Sequence, residues 1–247
     1  MSRRHYTFTS PTSFKVPFGI YDVLIEDAIK YNFIKNKRAN LSGFLNALIP
    51  VLVEYQDDLH KQLLEYNHGD TELTRLVEQN LLNVYLKPLC SRHVGTVPIS
   101  FRVAKEHYED FIRIHDVKLK HLDIDFTTYV RNLLMEYTSK DAFQRERLFA
   151  HSMMKDIQRA MTKKKLCHIY SEEGDFVFVP TVIDVSPVTR INVVAGCCPF
   201  DHSIVCINLV NITNVIVDEE TITLSDEDLD SVSKAVFDLF ERLLDDE

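Results

Sequence analysis

One apolar pattern occurs twice in the chain, 85 positions apart. Leu41, Phe44, Leu45, Leu48, Ile49 and Leu52 share one stripe of a helix expected from Leu41 to Tyr55. Phe126, Tyr129, Val130, Leu133, Leu134 and Tyr137 do the same between Phe126 and Tyr137, with no gap in the correspondence. A repeat constrains architecture more than composition does, because each copy must bury the same face. The match extends upstream. Lys15–Ile20 and Pro98–Val103 both alternate apolar with other residues, which predicts a short strand in each. Val16, Phe18 and Ile20 would face inward in the first, and Ile99, Phe101 and Val103 in the second. Lys15, Pro17 and Gly19, and Pro98, Ser100 and Arg102, would then face out.

Each copy has a further amphipathic helix between strand and repeat helix. Its stripe is Tyr21, Leu24, Ile25, Ala28 and Ile29 in the first copy, and Tyr108, Phe111, Ile112 and His115 in the second. Asn40 or Ser42, and Asp125 or Thr127, suit the N-cap of the repeat helix. Pro50 should kink that helix in copy one, and a helical spacer, about Gln56 to Leu86, would join the copies. The layout of strand, helix, turn and helix resembles a ribbon-helix-helix unit. The resemblance implies that two strands pair as an antiparallel ribbon whose outward side chains meet the major groove. Here the outward set holds only Lys15, Ser100 and Arg102 as useful polar groups, too few for strong base readout. A purely structural or dimerising repeat is the competing reading. Phosphate contacts fit better than base contacts: Lys35, Lys37 and Arg38 cluster between the helices of copy one, Lys118 and Lys120 in copy two. Lys163, Lys164 and Lys165 form a third cluster.

Charge divides the chain. Met1–Lys165 holds 25 Lys+Arg against 20 Asp+Glu, whereas Leu166–Glu247 holds 3 against 17. Such asymmetry points any polyanion contact to the front. The five cysteines, two of them adjacent, read as reduced thiols in a cytoplasmic protein. No stretch is apolar enough to span a membrane, and the first residues lack the apolar core of a secretory signal.

From Leu166 the period shortens. Runs at 166–170, 176–180, 182–185, 191–195, 204–207 and 215–217 are β-branched or aromatic and are separated by turn signals, as in a small barrel. His168-Ile-Tyr170, Glu173-Gly-Asp175, Phe178-Val-Pro180, Asn192-Val-Val194, Phe200-Asp-His202 and Leu209-Val-Asn-Ile212 follow one another as in a WYL domain, which this segment resembles over about Lys165–Glu220. That resemblance implies an SH3-like regulatory barrel with a ligand groove, for which Tyr170, Ser186, Arg190 and His202 are the candidates. Asn192 stands where the family's naming triplet begins, and Asn211 where it usually has arginine. Asn211 in place of arginine, with the acidic balance of the residues around it, weighs against an anionic ligand, and a protein-binding barrel is the competing reading. Ser225–Asp228 looks like a capping box opening a final helix, striped by Leu229, Val232, Val236, Leu239, Phe240 and Leu243. That helix could pair with its mate in a homodimer.

No GxSxG, HExxH, Walker, GxGxxG or CxxC motif occurs, so no enzyme class, cofactor or metal is expected. The one metal-like spacing, Cys198, His202 and Cys206, places Cys206 inside an apolar strand, where a buried thiol is the common outcome. The expected fold is α+β. It comprises a tandem ribbon-helix-helix-like region (1–140), a connecting helix (141–165), a WYL-like barrel (166–224) and a terminal helix (225–247). The combination resembles the WYL accessory proteins of type VI CRISPR systems. It implies a non-enzymatic regulator that binds single-stranded RNA and modulates an RNA-guided nuclease. A ligand-responsive repressor on duplex DNA, and a protein-interaction scaffold that binds no nucleic acid, are the alternatives.

Overall fold

The structure is a computed structural model describing residues 11–86, 95–119 and 125–245. It is a mixed α+β protein that divides into two compact units, Met1–Lys140 and Asp141–Glu247.

In the first unit, strand β1 (Thr12–Pro17) leads directly into helix α1 (Phe18–Lys30). A two-residue hairpin, β2 (Ile34–Lys35) and β3 (Arg38–Ala39), separates α1 from α2 (Leu41–Tyr66). Helix α3 (Thr71–Leu86) follows, then β4 (Thr96–Phe101), α4 (Tyr108–Arg113) with a π-turn over Ile114–Lys118, and α5 (Phe126–Thr138). Strands β1 and β4, one from each repeat, pair antiparallel with Ser13 opposite Ser100 and Lys15 opposite Pro98. Phe14, Val16, Ile99 and Phe101 are buried beneath this ribbon, and the Phe14 and Phe101 rings meet edge to face at 6.4 Å.

The repeat helices are buried along the expected stripe, from Phe44, Leu45, Leu48, Ile49 and Leu52 to Tyr129, Val130, Leu133, Leu134 and Tyr137. Their caps also repeat. The Asn40 side chain accepts from Gly43 N at 3.1 Å, and Asp125 accepts from Thr128 N at 2.9 Å. Ser42 and Thr127 lie inside the first turn and do not cap. Thr128 hydrogen bonds hold the Asp125 carboxyl below its usual value, side chain first and then backbone. A carboxylate depressed in the fold stabilises above its unfolded pKa and stops doing so as pH falls through the folded one. Asp125→Ala should therefore cost about 1 kcal/mol at neutral pH and progressively less below about pH 4. Asn40→Ala should cost a similar amount with no such acid dependence. Urea melts of both variants at several pH values check the contrast; parallel acid profiles would remove the capping account.

Three expectations change here. Phe18 and Ile20 are not strand residues. The helix begins at Phe18, whose side chain is exposed, because the outward-pointing Pro17 ends the ladder. Helix α2 continues through Pro50 to Tyr66, so copy one and the start of the spacer are one element. The buried side of α1 is Leu24, Asp27 and Ala28, with Ile29 exposed; Asp27 fits there because the buried Tyr137 hydroxyl donates to it at 2.8 Å.

In the second unit, α6 (Ala142–Phe149) and α7 (His151–Lys163) precede a five-stranded antiparallel sheet. Its strands are β5 (Lys165–Ser171), β6 (Gly174–Val185), β7 (Asn192–Cys197), β8 (Ile204–Asn208) and β9 (Ile212–Thr221), in the order β8-β7-β6-β5-β9. A 3-10 turn (Leu209–Asn211) links the last two strands, and α8 (Asp226–Asp245) ends the chain's described part. The segment 141–165 is no mere connector: Ala150, Met154, Ile157 and Ala160 complete a core with Cys167, Ile169, Phe178, Val194 and Ile207.

The sheet is not a closed barrel. Among the described residues β8 and β9 remain its edges. Closure is replaced by helical cover: α7 fills one face, while Val232 and Val236 of α8 pack on Ala195 and Cys197 of β7. Strand β7 is therefore buried along its whole length, as a strand covered on both faces must be. The runs 176–180 and 182–185 are one strand, with a register shift between Pro180 and Val182. Next to that bulge, Gly196 leaves no room for a side chain against the backbone of Val179.

Candidate nucleic-acid interface

The outer face of the ribbon carries Ser13, Lys15, Pro98, Ser100 and, just beyond β4, Arg102, all exposed. Ser13 donates to Ser100 at 3.0 Å across the strands. Gly19 belongs to α1, and Ser13, absent from the expected outward set, takes a place on the face. Among the described residues the only cations there are Lys15 and Arg102, one from each repeat.

The backbone of Arg102 is held from below. Asn46, buried on α2, donates to the carbonyls of Ser42 (2.7 Å) and Arg102 (2.9 Å), and its oxygen accepts from Ala104 N (2.8 Å). One amide thus ties the second repeat's strand exit to the first repeat's helix. Nothing in the linear pattern marks Asn46, because a polar residue at the edge of an apolar stripe ordinarily faces water.

Between α1 and α2 the chain forms a tight hairpin. Asn36 and Lys37 both have positive φ, 52° and 61°, the backbone of a type I′ turn whose twist matches its strands. Lys35, Lys37 and Arg38 are exposed on it. Its base is fixed by Phe33 N to Ala28 O and Asn40 N to Phe33 O, both 2.7 Å, and by the Phe33 ring, 5.6 Å from that of Phe44. Tyr31 stacks on the same Phe44 ring at 6.0 Å. Both aromatics thus pack on the helix pair. Three exposed cations on one short turn make a local positive patch of the kind that contacts phosphates. The corresponding cations of copy two, Lys118 and Lys120, lie outside the described side chains.

Lys163, Lys164 and Lys165 belong to the second unit. Lys163 ends α7, and Lys164 follows with φ of 51°. Lys165 is committed to Glu219, bonding its carbonyl at 2.9 Å and its carboxylate at 3.0 Å. The unit boundary after Lys140 leaves these lysines out of the first unit. Residues 1–140 hold 18 Lys+Arg against 17 Asp+Glu, so the first unit is nearly neutral and its positive character is local.

The four groove candidates are not gathered into one site. Tyr170 lies at the end of β5, exposed, with its carbonyl accepting from Thr213 at 3.1 Å. Ser186 is buried in the β6–β7 turn, where its hydroxyl accepts from Thr189 N at 3.2 Å. Arg190 occupies the same turn at φ of 55°. That turn is at the opposite end of the strands from Tyr170 and from His202, which sits in the β7–β8 turn. Asn192, at the start of β7, donates to the Phe143 carbonyl at 2.9 Å and accepts from Arg147, binding the sheet to α6.

His202 Nδ1 is 2.9 Å from Asp228 Oδ1, and Cys197 Sγ donates to the same oxygen at 3.6 Å. Burial, then Asp228, pushes the Cys197 thiol up to about 11. Ser225 and then His202 hold Asp228 down at about 2. The Ser225–Asp228 capping box is reciprocal: Ser225 N donates to Oδ2, and Asp228 N to the Ser225 hydroxyl, each at 3.1 Å. Cys206 instead packs against the α8 core.

Among the described residues no helix is long and apolar enough to cross a membrane. The sequence matches no family model and no curated protein. Its fold is similar to that of a solved structure described as a "CRISPR Cas-related protein". The TM-score is 0.62 at 15% identity, over 94% of this chain and 68% of the other.

Proposed function

We propose that the chain is a non-enzymatic nucleic-acid-binding regulator, an RNA-binding accessory protein that modulates a CRISPR RNA-guided nuclease. The observation that carries this reading is the intrachain ribbon with an exposed basic hairpin beside its first helix, on a fold similar to a CRISPR Cas-related protein. The paired strands, each followed by two helices, support the ribbon-helix-helix likeness. The strand order β8-β7-β6-β5-β9, with a 3-10 turn before the last strand, is compatible with a WYL-like module.

Single-stranded RNA is favoured over duplex DNA by the ribbon's chemistry. Two prolines and two short hydroxyls cannot make the bidentate contacts that separate base pairs. Backbone tracking by Lys35, Lys37, Arg38, Lys15 and Arg102 needs no such contacts. Binding of labelled single-stranded RNA and duplex DNA, measured side by side across a salt series, tests the proposal. RNA should bind more tightly, and the triple variant Lys35→Glu, Lys37→Glu, Arg38→Glu should weaken it at least about tenfold and flatten the salt slope. Sequence-dependent duplex preference would favour an operator-binding repressor. No binding of either polymer at low salt would leave a protein-interaction scaffold.

A further inference from the structure

The end of β7, the turn after it and the first turn of α8 bring a thiol, an imidazole and a carboxylate to one point. Their ligand atoms all lie within 4.8 Å of one another. Cys197 closes β7 with its thiol buried beneath α8. His202 is set by a tight turn in which Cys198 N donates to Ser203 O (2.9 Å) and His202 N to Cys198 O (3.0 Å). At φ of 57° it occupies a left-handed position that a bulky L-residue adopts at a cost. Asp228 gives one oxygen, Oδ2, to Ser225 N and Oγ (3.1 and 2.7 Å), which fixes the carboxylate and turns Oδ1 toward Cys197 and His202. In the same turn Asp201 accepts from Ser203 N at 3.0 Å, and neither Asp201 nor Cys198 belongs to the cluster.

We propose that Cys197 Sγ, His202 Nδ1 and Asp228 Oδ1 bind one divalent cation of the zinc class, with solvent in the fourth position. Tetrahedral bonds of about 2.0–2.3 Å place ligand atoms about 3.3–3.8 Å apart. The Sγ–Oδ1 separation of 3.6 Å is already in that range, and the Nδ1–Oδ1 separation of 2.9 Å needs a small opening. The donor set selects the metal. A thiolate with an imidazole suits zinc or cobalt(II), whereas magnesium and calcium want oxygen alone. Binding replaces the thiol's hydrogen bonds to Asp228 Oδ1 and the Cys198 carbonyl (3.5 Å), and one proton leaves as the thiolate forms. The side of the site left to solvent is that of His202, whose side chain is 71% exposed. The ion would fasten the start of α8 to the sheet, independently of any nucleic-acid contact made by the first unit.

Cobalt(II), titrated anaerobically into the reduced, metal-free full chain, reads the site directly. One equivalent should bring up thiolate-to-cobalt charge transfer in the near ultraviolet together with the intense visible bands of a tetrahedral ion. Zinc should bleach both. Cys197→Ser should abolish the charge-transfer band, while Cys206→Ser should leave it intact. Because Cys197 is buried, His202→Ala, at an exposed position, carries the decision if the serine variant misfolds. It should weaken binding at least about 100-fold, since even an outer partner of a ligand is worth about 10–100-fold. A wild-type chain that gives no charge-transfer band overturns the proposal. So does a band that survives Cys197→Ser or is unmoved by His202→Ala, which would leave the three groups as a hydrogen-bonded clasp.

Discussion

Gly196→Ala should destabilise the second unit by about 3 kcal/mol or more, at the upper end of what overpacking costs. The added methyl would overlap the carbonyl oxygen of Val179 and come to 2.5 Å from the Phe178 ring. The obstruction on one side is backbone, and Phe178 is itself fully buried, so neither neighbour can swing away. Relief would need β6 and β7 to separate beside the bulge at Pro180–Val182, in a strand covered on both faces. A loss of this size is a large fraction of the roughly 5–15 kcal/mol that stabilises a typical domain. Hydrogen exchange resolved by peptide is the right measurement, because the first unit should be unaffected. Protection should fall across 174–208 and stay unchanged across 12–66. Equal protection to wild type over β6 and β7 would show that the close approach is dispensable.

Asn46→Asp should be worse than Asn46→Ala, although it is the closer match in shape. The alanine variant leaves the Ala104 N–H and the Arg102 carbonyl without their partner, at about 1–3 kcal/mol for each group that water cannot reach, while the Ser42 carbonyl keeps its helical backbone bond. These bonds are partly buried, so about 2 kcal/mol in total is the expected loss. The aspartate variant keeps the acceptor for Ala104 but turns a negative oxygen toward two carbonyls now 2.7 and 2.9 Å from the amide nitrogen. That arrangement buries repulsion as well as losing two bonds, and a loss of about 3–5 kcal/mol follows for an uncompensated buried charge. Acidification should return part of it, since a protonated carboxyl regains one donor. Urea melts at pH 7 and pH 5 give the ranking and its pH dependence. If alanine proves the more harmful of the two, the amide's donors are not what holds Arg102 in place.

What could be read in advance was whatever repeats. The helix stripes, the two caps and the cross-repeat strands all follow from periodicity, because each repeat buries the same face and leaves the same ends to satisfy. Asp27 and Asn46 escaped because their partners, Tyr137 and the Arg102–Ala104 backbone, are far away in sequence and break the pattern where they pair. The shift of period at Leu166 marks where strands begin and not where the unit begins. Met154, Ile157 and Ala160 need the sheet to cover their stripe, which draws 141–165 into the second unit. The lysines at 163–165 go with it, so the first unit carries less net positive charge than Met1–Lys165 does. Of Cys198, His202 and Cys206, whose spacing is metal-like, only His202 belongs to the cluster with Cys197 and Asp228. Asp228 comes to that cluster from a helix that no local spacing could include.

Because β1 and β4 come from one chain, the ribbon has no twofold copy of itself. A homodimeric ribbon shows the same side chains on both strands and is matched to inverted repeats. This one sets Ser13 and Lys15 against Ser100 and Pro98, and the basic hairpin belongs to copy one. A strand of nucleic acid lying along it would meet lysine before arginine in one direction and the reverse in the other. The surface therefore has a polarity, and on the function proposed above a bound single strand should lie across it in one 5′-to-3′ direction whatever its sequence.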